Sequence, residues 1–249
     1  HTPGYMWRIP WNCKPGGAER FGCYGKPFPL NTTAINIKAT IPSAKLILLV
    51  RDPVDRAFSH FHHFYDPAKC RPEFKGKTPA CFQRHMKEEV ERIEKCLKKN
   101  GPWSPLCAWG ETGNLAWQQD TRVLSLGLYV LFIQEWLKMF PKEQFCVLDL
   151  EHFKGSIDHG MSLIENCLGL EPMGRPYEKT KINTRGTKKG VVPMLDETRV
   201  MLNTFFRPYN EKFCSLHLAP IGCETTWLKE WSTVKPPSVG AVASQRALI

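Results

Sequence analysis

Residues 45–59 have the sequence KLILLVRDPVDRAFS, and this stretch decides the fold class. Its first part, residues 46–50, is an apolar run of strand length, typical of strands buried in a parallel sheet. Asp52 is a favourable N-cap and Pro53 is favourable in a first helical turn, so we expect a helix over residues 54–65. The stretch therefore predicts a strand that is followed directly by a helix.

The rest of the chain alternates between helix-like and strand-like segments. Helical periodicity occurs at 34–41, 121–140, 156–168 and 195–214. Residues 145–149 form a second buried strand, and a charged helical stretch at 82–99 lies within residues 66–116, which we interpret as a disulfide-tied insert. Strands that alternate with helices predict an α/β fold with a parallel sheet, here in a single domain over residues 1–249.

Ten cysteines are many for a cytosolic enzyme, and eight of them fall into pairs that are close in sequence. These pairs are Cys13/Cys23, Cys70/Cys81, Cys96/Cys107 and Cys214/Cys223. They predict disulfides formed in an oxidising compartment, and the glycosylation sequon at Asn31 fits the same secretory context. Cys146 and Cys167 lie on strand-like and helix-like runs, so we expect both to be buried thiols rather than disulfide partners.

The formal net charge of +10, from 34 Lys and Arg against 24 Asp and Glu, favours polyanionic partners. Nucleic acid, sulfated glycans and phosphorylated nucleotides all meet that description, and a solvated basic surface accounts for the charge as well. No apolar run approaches the ~18 residues of a membrane span. The sequence begins at His1, so we expect any targeting segment or membrane anchor to lie upstream of it.

Arg51 and Ser59 are the first candidates for a binding site. Ligands of open α/β sheets bind beyond the carboxyl ends of the strands, where Arg51 is predicted to lie. Ser59 follows two helical turns later, so that a guanidinium and a hydroxyl can share one phosphate. On spacing alone, the alternative is an ordinary surface cation and a helix-surface hydroxyl.

Further segments extend this pattern in a fixed order along the chain. They are Gly127-Leu128-Tyr129, Trp136, Phe140-Pro141, residues 145–149 with Glu151, residues 167–170, Lys188-Lys189-Gly190, Pro193, Thr198 and residues 205–210. Together with residues 51–59, this ordered set resembles the Golgi carbohydrate sulfotransferases. The similarity is to the heparan sulfate N- and 3-O-sulfating enzymes and to the chondroitin enzyme that 6-sulfates N-acetylgalactosamine 4-sulfate. It covers roughly residues 34–216.

The resemblance implies the P-loop-like sulfotransferase fold, with a central parallel sheet flanked by helices. It implies transfer of a sulfuryl group from the nucleotide donor PAPS to a hydroxyl or amine of a glycosaminoglycan-like polysaccharide, without a metal. It also implies a Golgi lumenal or secreted protein whose partners are an anionic polysaccharide and PAPS or its product PAP, rather than nucleic acid. The basic residues 69–99 and the nearby Trp103 are a candidate surface for the glycan chain.

The same resemblance implies roles for individual residues. Arg51 and Ser59 are implied to hold the 3′-phosphate of the nucleotide. The loop Lys188-Lys189-Gly190 resembles the family's loop that closes over the nucleotide's phosphates. Val191 stands where the family has an arginine, and Arg185 is a candidate substitute for that cation.

Two ring-bearing side chains complete the candidate site. Tyr177 lies where the family often has an aromatic residue near the adenine, and a packing role is the alternative. His63 matches a histidine at the active site of the N-sulfating members, so it is the candidate catalytic residue. It would orient the acceptor, steady the leaving sulfate or accept a proton. His60 and His62 are equally well explained as helix-surface residues.

One element of the family pattern is missing from the sequence. The segments around Lys14 and Gly25 have part of the composition of a phosphosulfate loop, but no apolar strand precedes them. We expect either that this loop and the family's glutamate base lie upstream, or that the protein is a divergent member without them. A secreted glycan-binding protein that keeps the fold without catalysis is the alternative function. A P-loop kinase or nucleotide hydrolase is disfavoured, because no Walker-type lysine loop or magnesium carboxylate is visible.

Overall fold

The computed structural model describes residues 32–64, 68, 70, 72–74, 76–109, 123–150, 153, 156–174, 176–177 and 192–219. Within these ranges the chain forms seven α-helices and two β-strands. In chain order they are α1 (Thr32–Thr40), β1 (Leu46–Val50), α2 (Pro53–Phe64), α3 (Pro79–Asn100), α4 (Leu106–Trp109), α5 (Tyr129–Leu137), β2 (Phe145–Asp149), α6 (Ile157–Leu168) and α7 (Asp196–Cys214). Short 3₁₀ turns cover Pro72–Phe74, Ser125–Gly127 and Lys142–Gln144.

The two strands pair in parallel, with Val50 opposite Asp149 at their carboxyl ends. Parallel strands connected through helices are the arrangement that the alternating sequence pattern predicts, so the α/β fold class is confirmed. β2 is buried along its whole length. β1, in contrast, leaves Ile47 and Leu49 on one face 49% and 47% exposed.

Helix α7 packs against both α2 and α5. α2 turns Ala57 and Phe61 inward, two fully buried residues one turn apart. Gly127 lies where the first turn of α2 meets α7, and a Cβ atom on it would be 2.9 Å from Cβ of Pro53 and 3.0 Å from the ring of Phe206. Glycine is therefore needed for the backbone before α5 to lie directly against the start of α2.

The helix expected over residues 121–140 is shorter than predicted within its described part. A 3₁₀ turn occupies Ser125–Gly127, and the α-helix covers only Tyr129–Leu137. Glu89 of α3 accepts hydrogen bonds from two backbone amides at the start of this turn. Tertiary contacts therefore override the helical periodicity of the stretch.

Two of the predicted disulfides are present, Cys70–Cys81 and Cys96–Cys107, with Cα–Cα distances of 5.7 and 5.6 Å. They tie the two ends of α3 to the neighbouring chain, within the segment that we interpret as an insert. Cys214 is disulfide-bonded as well. Its predicted partner Cys223, the pair Cys13/Cys23 and the sequon at Asn31 lie outside the described residues.

The prediction of two buried thiols at Cys146 and Cys167 is wrong, because these residues form a disulfide. Cys146 lies in β2 and Cys167 near the end of α6, and α6 packs directly against β2. This contact brings the two Cα atoms to 5.9 Å, within the range of a disulfide. The two residues are 21 positions apart in sequence, and only the packing of the helix on the strand reveals the pairing.

Polar residues and a glycine cap the helix ends. Asp52 caps α2, as predicted, and Ser156 caps α6 by accepting a hydrogen bond from the amide of His159 at 3.3 Å. Gly169 ends α6 in the left-handed conformation, with φ of 70°. Among the helices that the structure describes, none has both the length and the apolar composition to cross a membrane.

Candidate functional site

The carboxyl ends of β1 and β2 meet at one edge of the sheet. Arg51 follows β1 directly, and Asp149, the last residue of β2, is fully buried opposite Val50. Ligands of parallel sheets bind at this edge. The structure therefore places Arg51 where a ligand would be bound.

The turn after β1 is closed by Asp52. Its Oδ1 atom accepts hydrogen bonds from the amides of Val54 at 2.7 Å and Asp55 at 3.0 Å. Its carbonyl oxygen accepts from the amide of Arg56 at 2.9 Å. Burial raises the pKa of the Asp52 carboxyl group. Because these amides are already bonded, an anion at the start of α2 must be held by side chains rather than by the helix terminus.

Arg51 is fixed through its backbone. The hydroxyl of Tyr129 donates a hydrogen bond to the carbonyl oxygen of Arg51 at 2.9 Å. Burial raises the pKa of Tyr129 to about 12, so the hydroxyl keeps its proton at neutral pH. The Nε atom of Arg51 is buried, and no acceptor in the described part of the chain bonds to it. A buried donor without a partner is costly, and a phosphate oxygen is an acceptor that would satisfy it.

Arg56 adds a second guanidinium in the first turns of α2. Its Nη2 atom donates to the carbonyl oxygen of Val123, which ties α2 to the segment before α5. Burial lowers the pKa of Arg56; the charge of Arg51 adds to this effect, and the charge of Glu89 opposes it. The Nε atom of Arg56 is also buried without a hydrogen-bond partner among the described residues. Two interacting guanidinium groups therefore each have an unpaired donor.

Glu89 of α3 is the buried counter-charge of this region, with only 2% of its surface exposed. Its Oε1 atom accepts hydrogen bonds from the amides of Leu124 at 3.0 Å and Ser125 at 3.3 Å. Arg92 on the same helix lies 3.5 Å from this oxygen. Burial raises the pKa of Glu89 to about 7, although the two amides and the charges of Arg92 and Arg56 act in the opposite direction.

Ser59 and His63 are four residues apart on α2, both exposed, so they share one face of the helix. Ser59 lies ~9 Å of helix rise beyond the start of α2, on the helix that directly follows Arg51. His62 points elsewhere, with its ring edge-on to Phe58 at 4.5 Å between centroids. Arg51, Ser59 and His63 are thus carried by one strand–turn–helix unit, as the sequence predicts.

Tyr177 contacts α6. Its hydroxyl donates a hydrogen bond to Oε1 of Glu165, and its amide donates to Oδ1 of Asp158 at 2.7 Å. The hydrogen bond to Glu165 is the main cause that raises the pKa of Tyr177. These contacts account for a tethering role, and the place of the ring beside an adenine stays a prediction.

The predicted phosphate-closing loop falls outside the described residues. It consists of Lys188, Lys189 and Gly190, and the candidate substitute cation Arg185 also lies outside the described residues, so the roles of all four stay predictions. Within the described ranges, no group of three or more His, Cys, Asp and Glu side chains is arranged to hold a metal ion. Among the described residues, the candidates for the site are Arg51, Arg56, Ser59 and His63, and their roles in binding or catalysis stay predictions.

Tyr129, Arg56 and Glu89 were not assigned roles from the sequence. Tyr129 and Arg56 belong to the motifs that carry the family resemblance, but their contacts come from distant segments. The sequence does indicate that Glu89 is buried, because Glu89 lies at helical spacing between Met86 and Ile93, two buried residues of α3. A carboxylate at helical spacing among buried apolar residues predicts a buried acid.

Several known proteins are similar to this chain. The family described as the sulfotransferase domain matches residues 29–185. Human carbohydrate sulfotransferase 15 is 27% identical over 186 residues, which cover 72% of this chain and 31% of the human protein. Mouse bifunctional heparan sulfate N-deacetylase/N-sulfotransferase 3 is 24% identical over 194 residues, which cover 71% of this chain and 19% of the mouse protein. The chain therefore spans less than a third of the length of these two relatives.

A solved structure supports the fold. The sulfotransferase from Alicyclobacillus acidocaldarius aligns with a TM-score of 0.51 at 19% sequence identity. The alignment covers 82% of this chain and 64% of the bacterial one. At this identity the likeness concerns the fold alone, and it confirms the α/β sulfotransferase fold expected from the sequence.

Proposed function

The chain belongs to the sulfotransferase domain family, and from this premise we propose that it is a PAPS-dependent carbohydrate sulfotransferase. It would move a sulfuryl group to a hydroxyl or amine of a glycosaminoglycan-like sugar. The observation that carries the proposal is the buried, unpaired Nε donor of Arg51 at the carboxyl edge of a parallel sheet. The relatives named for carbohydrate and heparan sulfate sulfotransfer support the sugar acceptor.

The residues at this edge fit the 3′-phosphate of the donor nucleotide. We propose that Arg51 donates to it from its guanidinium and Ser59 from its hydroxyl. Both groups are donors, and a phosphate group offers only acceptor oxygens at neutral pH. Because Asp52 already accepts hydrogen bonds from the first amides of α2, the phosphate would be bound by the side chains of Arg51 and Ser59.

The other nucleotide contacts are proposed for residues beyond this edge. The loop Lys188-Lys189-Gly190 would close over the phosphates, with Arg185 supplying the cation that Val191 lacks. Tyr177 would lie beside the adenine, with its hydroxyl anchored on Glu165. These assignments rest on the resemblance of the sequence to the family.

The proposed reaction is an in-line displacement at sulfur. The acceptor hydroxyl or amine gives its proton to a base, and its oxygen or nitrogen attacks the sulfur atom. The bond between sulfur and the bridging oxygen of PAPS breaks, and its electron pair leaves with PAP, whose charge nearby cations stabilise. His63 is proposed to accept the proton or to orient the acceptor, because it is an exposed imidazole on the same helix face as Ser59.

We propose that a further segment, which carries the phosphosulfate loop, covers the exposed face of the sheet. Ile47 and Leu49 support this proposal, because strands of parallel sheets are usually covered on both faces and these residues are about half exposed. Amides and a lysine of such a loop would lie beside the bridging oxygen. The 249 residues would then belong to a single domain, with residues 66–116 as an insert tied by two disulfides.

The acceptor and the compartment are proposed together. An anionic polysaccharide suits the net charge of +10, and the basic residues 69–99 with Trp103 are the proposed glycan surface. Trp103 is 38% exposed beside Lys212, whose Nζ atom lies 5.3 Å from the ring centroid. The three described disulfides fit the Golgi lumen or the cell exterior.

Binding and transfer together test the proposed function. Calorimetry should show that the purified chain binds PAP. A version extended upstream through the phosphosulfate loop should transfer labelled sulfate from PAPS to desulfated heparan sulfate or to chondroitin. Binding of PAP with no transfer to any glycan would favour a glycan-binding protein that keeps the fold without catalysis, and failure to bind PAP would contradict the proposal.

A further inference from the structure

The carboxyl group of Glu89 is only partly satisfied by its neighbours. Its Oε1 atom receives both amides and faces Arg92, whereas Oε2 is buried without a hydrogen-bond partner in the described part of the chain. The Oγ atom of Ser125, on a residue 3% exposed, is also buried and unpaired among the described residues. A water-excluded carboxylate oxygen without a donor disfavours the charged form of the group.

Residues 123–129 connect this carboxyl group to the proposed phosphate site. Glu89 accepts from amides near the start of the segment, and Arg56 donates to the carbonyl of its first residue. Tyr129, at the end of the segment, donates to the carbonyl of Arg51. The charge of Glu89 acts on Arg56, and Arg56 interacts with Arg51. Helix α3, helix α2 and the turn after β1 therefore converge on these seven residues.

We propose that Glu89 is a positioning residue that fixes the phosphate-binding turn and takes up a proton when the nucleotide binds. The inference rests on the proposed function, because the binding event is that of the 3′-phosphate at Arg51. The Glu89 carboxylate interacts with Arg56, and Arg56 in turn interacts with Arg51, so a phosphate dianion bound at Arg51 raises the proton affinity of the carboxylate. The hydrogen bonds that Oε1 accepts do not require its charge, so the turn stays in place in both states.

Charged groups act on Glu89 from two helices. Arg92 of α3 faces Oε1 with its side chain 43% exposed, and Arg56 acts from α2. From residues 123–129, the described contacts of Glu89 are with backbone amides. Folding raises the pKa of Glu89 from 4.5 to about 7, mainly through burial. Between pH 4.5 and about pH 7, the folded protein therefore binds more protons than the unfolded chain. The stability that Glu89 contributes is lost as the pH rises through this range.

Calorimetry of PAP binding in buffers of different ionisation enthalpy tests the proposal. At about pH 7, the unchanged chain should take up more protons than the variant Glu89→Gln, which keeps the acceptor for both amides but does not titrate. The PAP phosphates and the histidines exchange the same number of protons in both proteins. Their contribution therefore cancels when the proton uptake of Glu89→Gln is subtracted from that of the unchanged chain. From about pH 6 to about pH 8, the Kd of the unchanged chain should rise about three- to tenfold relative to that of Glu89→Gln, the scale of one unit charge at about 10 Å.

Two further variants test the same proposal, one by shifting the proton affinity of Glu89 and one as a control. Arg92→Gln removes the exposed cation that favours the charged carboxylate, so the pH of greatest proton uptake should move upward. Glu91→Gln changes an exposed carboxylate on the same helix and should behave as the unchanged chain.

If Glu89→Gln does not fold, an unchanged pH of greatest uptake in Arg92→Gln overturns the inference. Equal proton uptake by the unchanged chain and Glu89→Gln would overturn it and leave the proposed function standing, whereas failure of the unchanged chain to bind PAP would contradict the proposed function itself.

Discussion

The hydroxyl of Tyr129 donates a hydrogen bond to the carbonyl oxygen of Arg51 at 2.9 Å, across 78 positions of sequence. This bond joins the first residue of α5 to the residue that follows β1. Gly127 permits the approach, because any side chain there would meet Pro53 and Phe206. The direction in which the Arg51 side chain leaves the sheet edge therefore depends on a residue outside its own strand–turn–helix unit.

Replacing Tyr129 by Phe should weaken PAP binding about three- to tenfold, the effect of losing one hydrogen bond that holds a binding residue. The reason is that the carbonyl of Arg51 loses its donor while the apolar packing of the ring stays. Calorimetry at neutral pH measures the change. Tyr209→Phe on α7, where the ring packs against Trp103, is the matched control and should bind PAP as the unchanged chain does. Equal affinity of Tyr129→Phe and the control would show that this bond does not position Arg51.

Replacing His63 by Gln should lower turnover by about 100-fold or more and leave the Kd for PAP within about twofold. An imidazole that handles the acceptor contributes to the chemical step rather than to nucleotide binding. The assay is sulfate transfer by the upstream-extended protein, with calorimetry on the same sample. His60→Gln on the same helix is the control and should retain most of the turnover. A loss of PAP affinity as large as the loss of turnover would place His63 in the nucleotide site instead.

Removing the Cys146–Cys167 disulfide by a double substitution to Ala should lower the free energy of unfolding by about 3 kcal/mol, as the chain-entropy model gives for this loop length. The bridge closes a loop between residues 21 apart and fastens α6 to β2. Urea unfolding of the variant and the unchanged chain measures the difference. Peptide mapping should find the bridge in the unreduced protein, and alkylation of both cysteines without reduction would contradict the pairing.

The strand–turn–helix unit could be predicted from the sequence because its determinants are local. The apolar run before Arg51, the capping side chain of Asp52 and the helical start at Pro53 lie within a few residues of one another. The same holds for the end of α6 at Gly169. Local signals of this kind give the positions of Arg51, Ser59 and His63 along the chain.

The rest of the site depends on contacts between distant segments, which no short pattern encodes. Helical periodicity continues through residues 123–128, but the hydrogen bonds to Glu89 and the close packing of Gly127 change this stretch into a turn. Cys146 and Cys167 pair because α6 lies on β2. The contacts of Glu89 on α3 and of Tyr129 with Arg51 also join segments that are distant in sequence.

Calorimetric measurement of PAP binding to the Arg51→Ala variant tests whether Arg51 binds the 3′-phosphate. We expect a loss of ~1.5–3 kcal/mol in binding free energy, since a charge-assisted hydrogen bond to the 3′-phosphate is removed. Ser59→Ala should lose less. Arg199→Ala is the control: this arginine of α7 is exposed, bonds Asp55 at 2.9 Å at the start of α2, and should leave PAP affinity unchanged when replaced. Unchanged PAP affinity in Arg51→Ala would contradict the claim that the carboxyl edge of β1 is the nucleotide site.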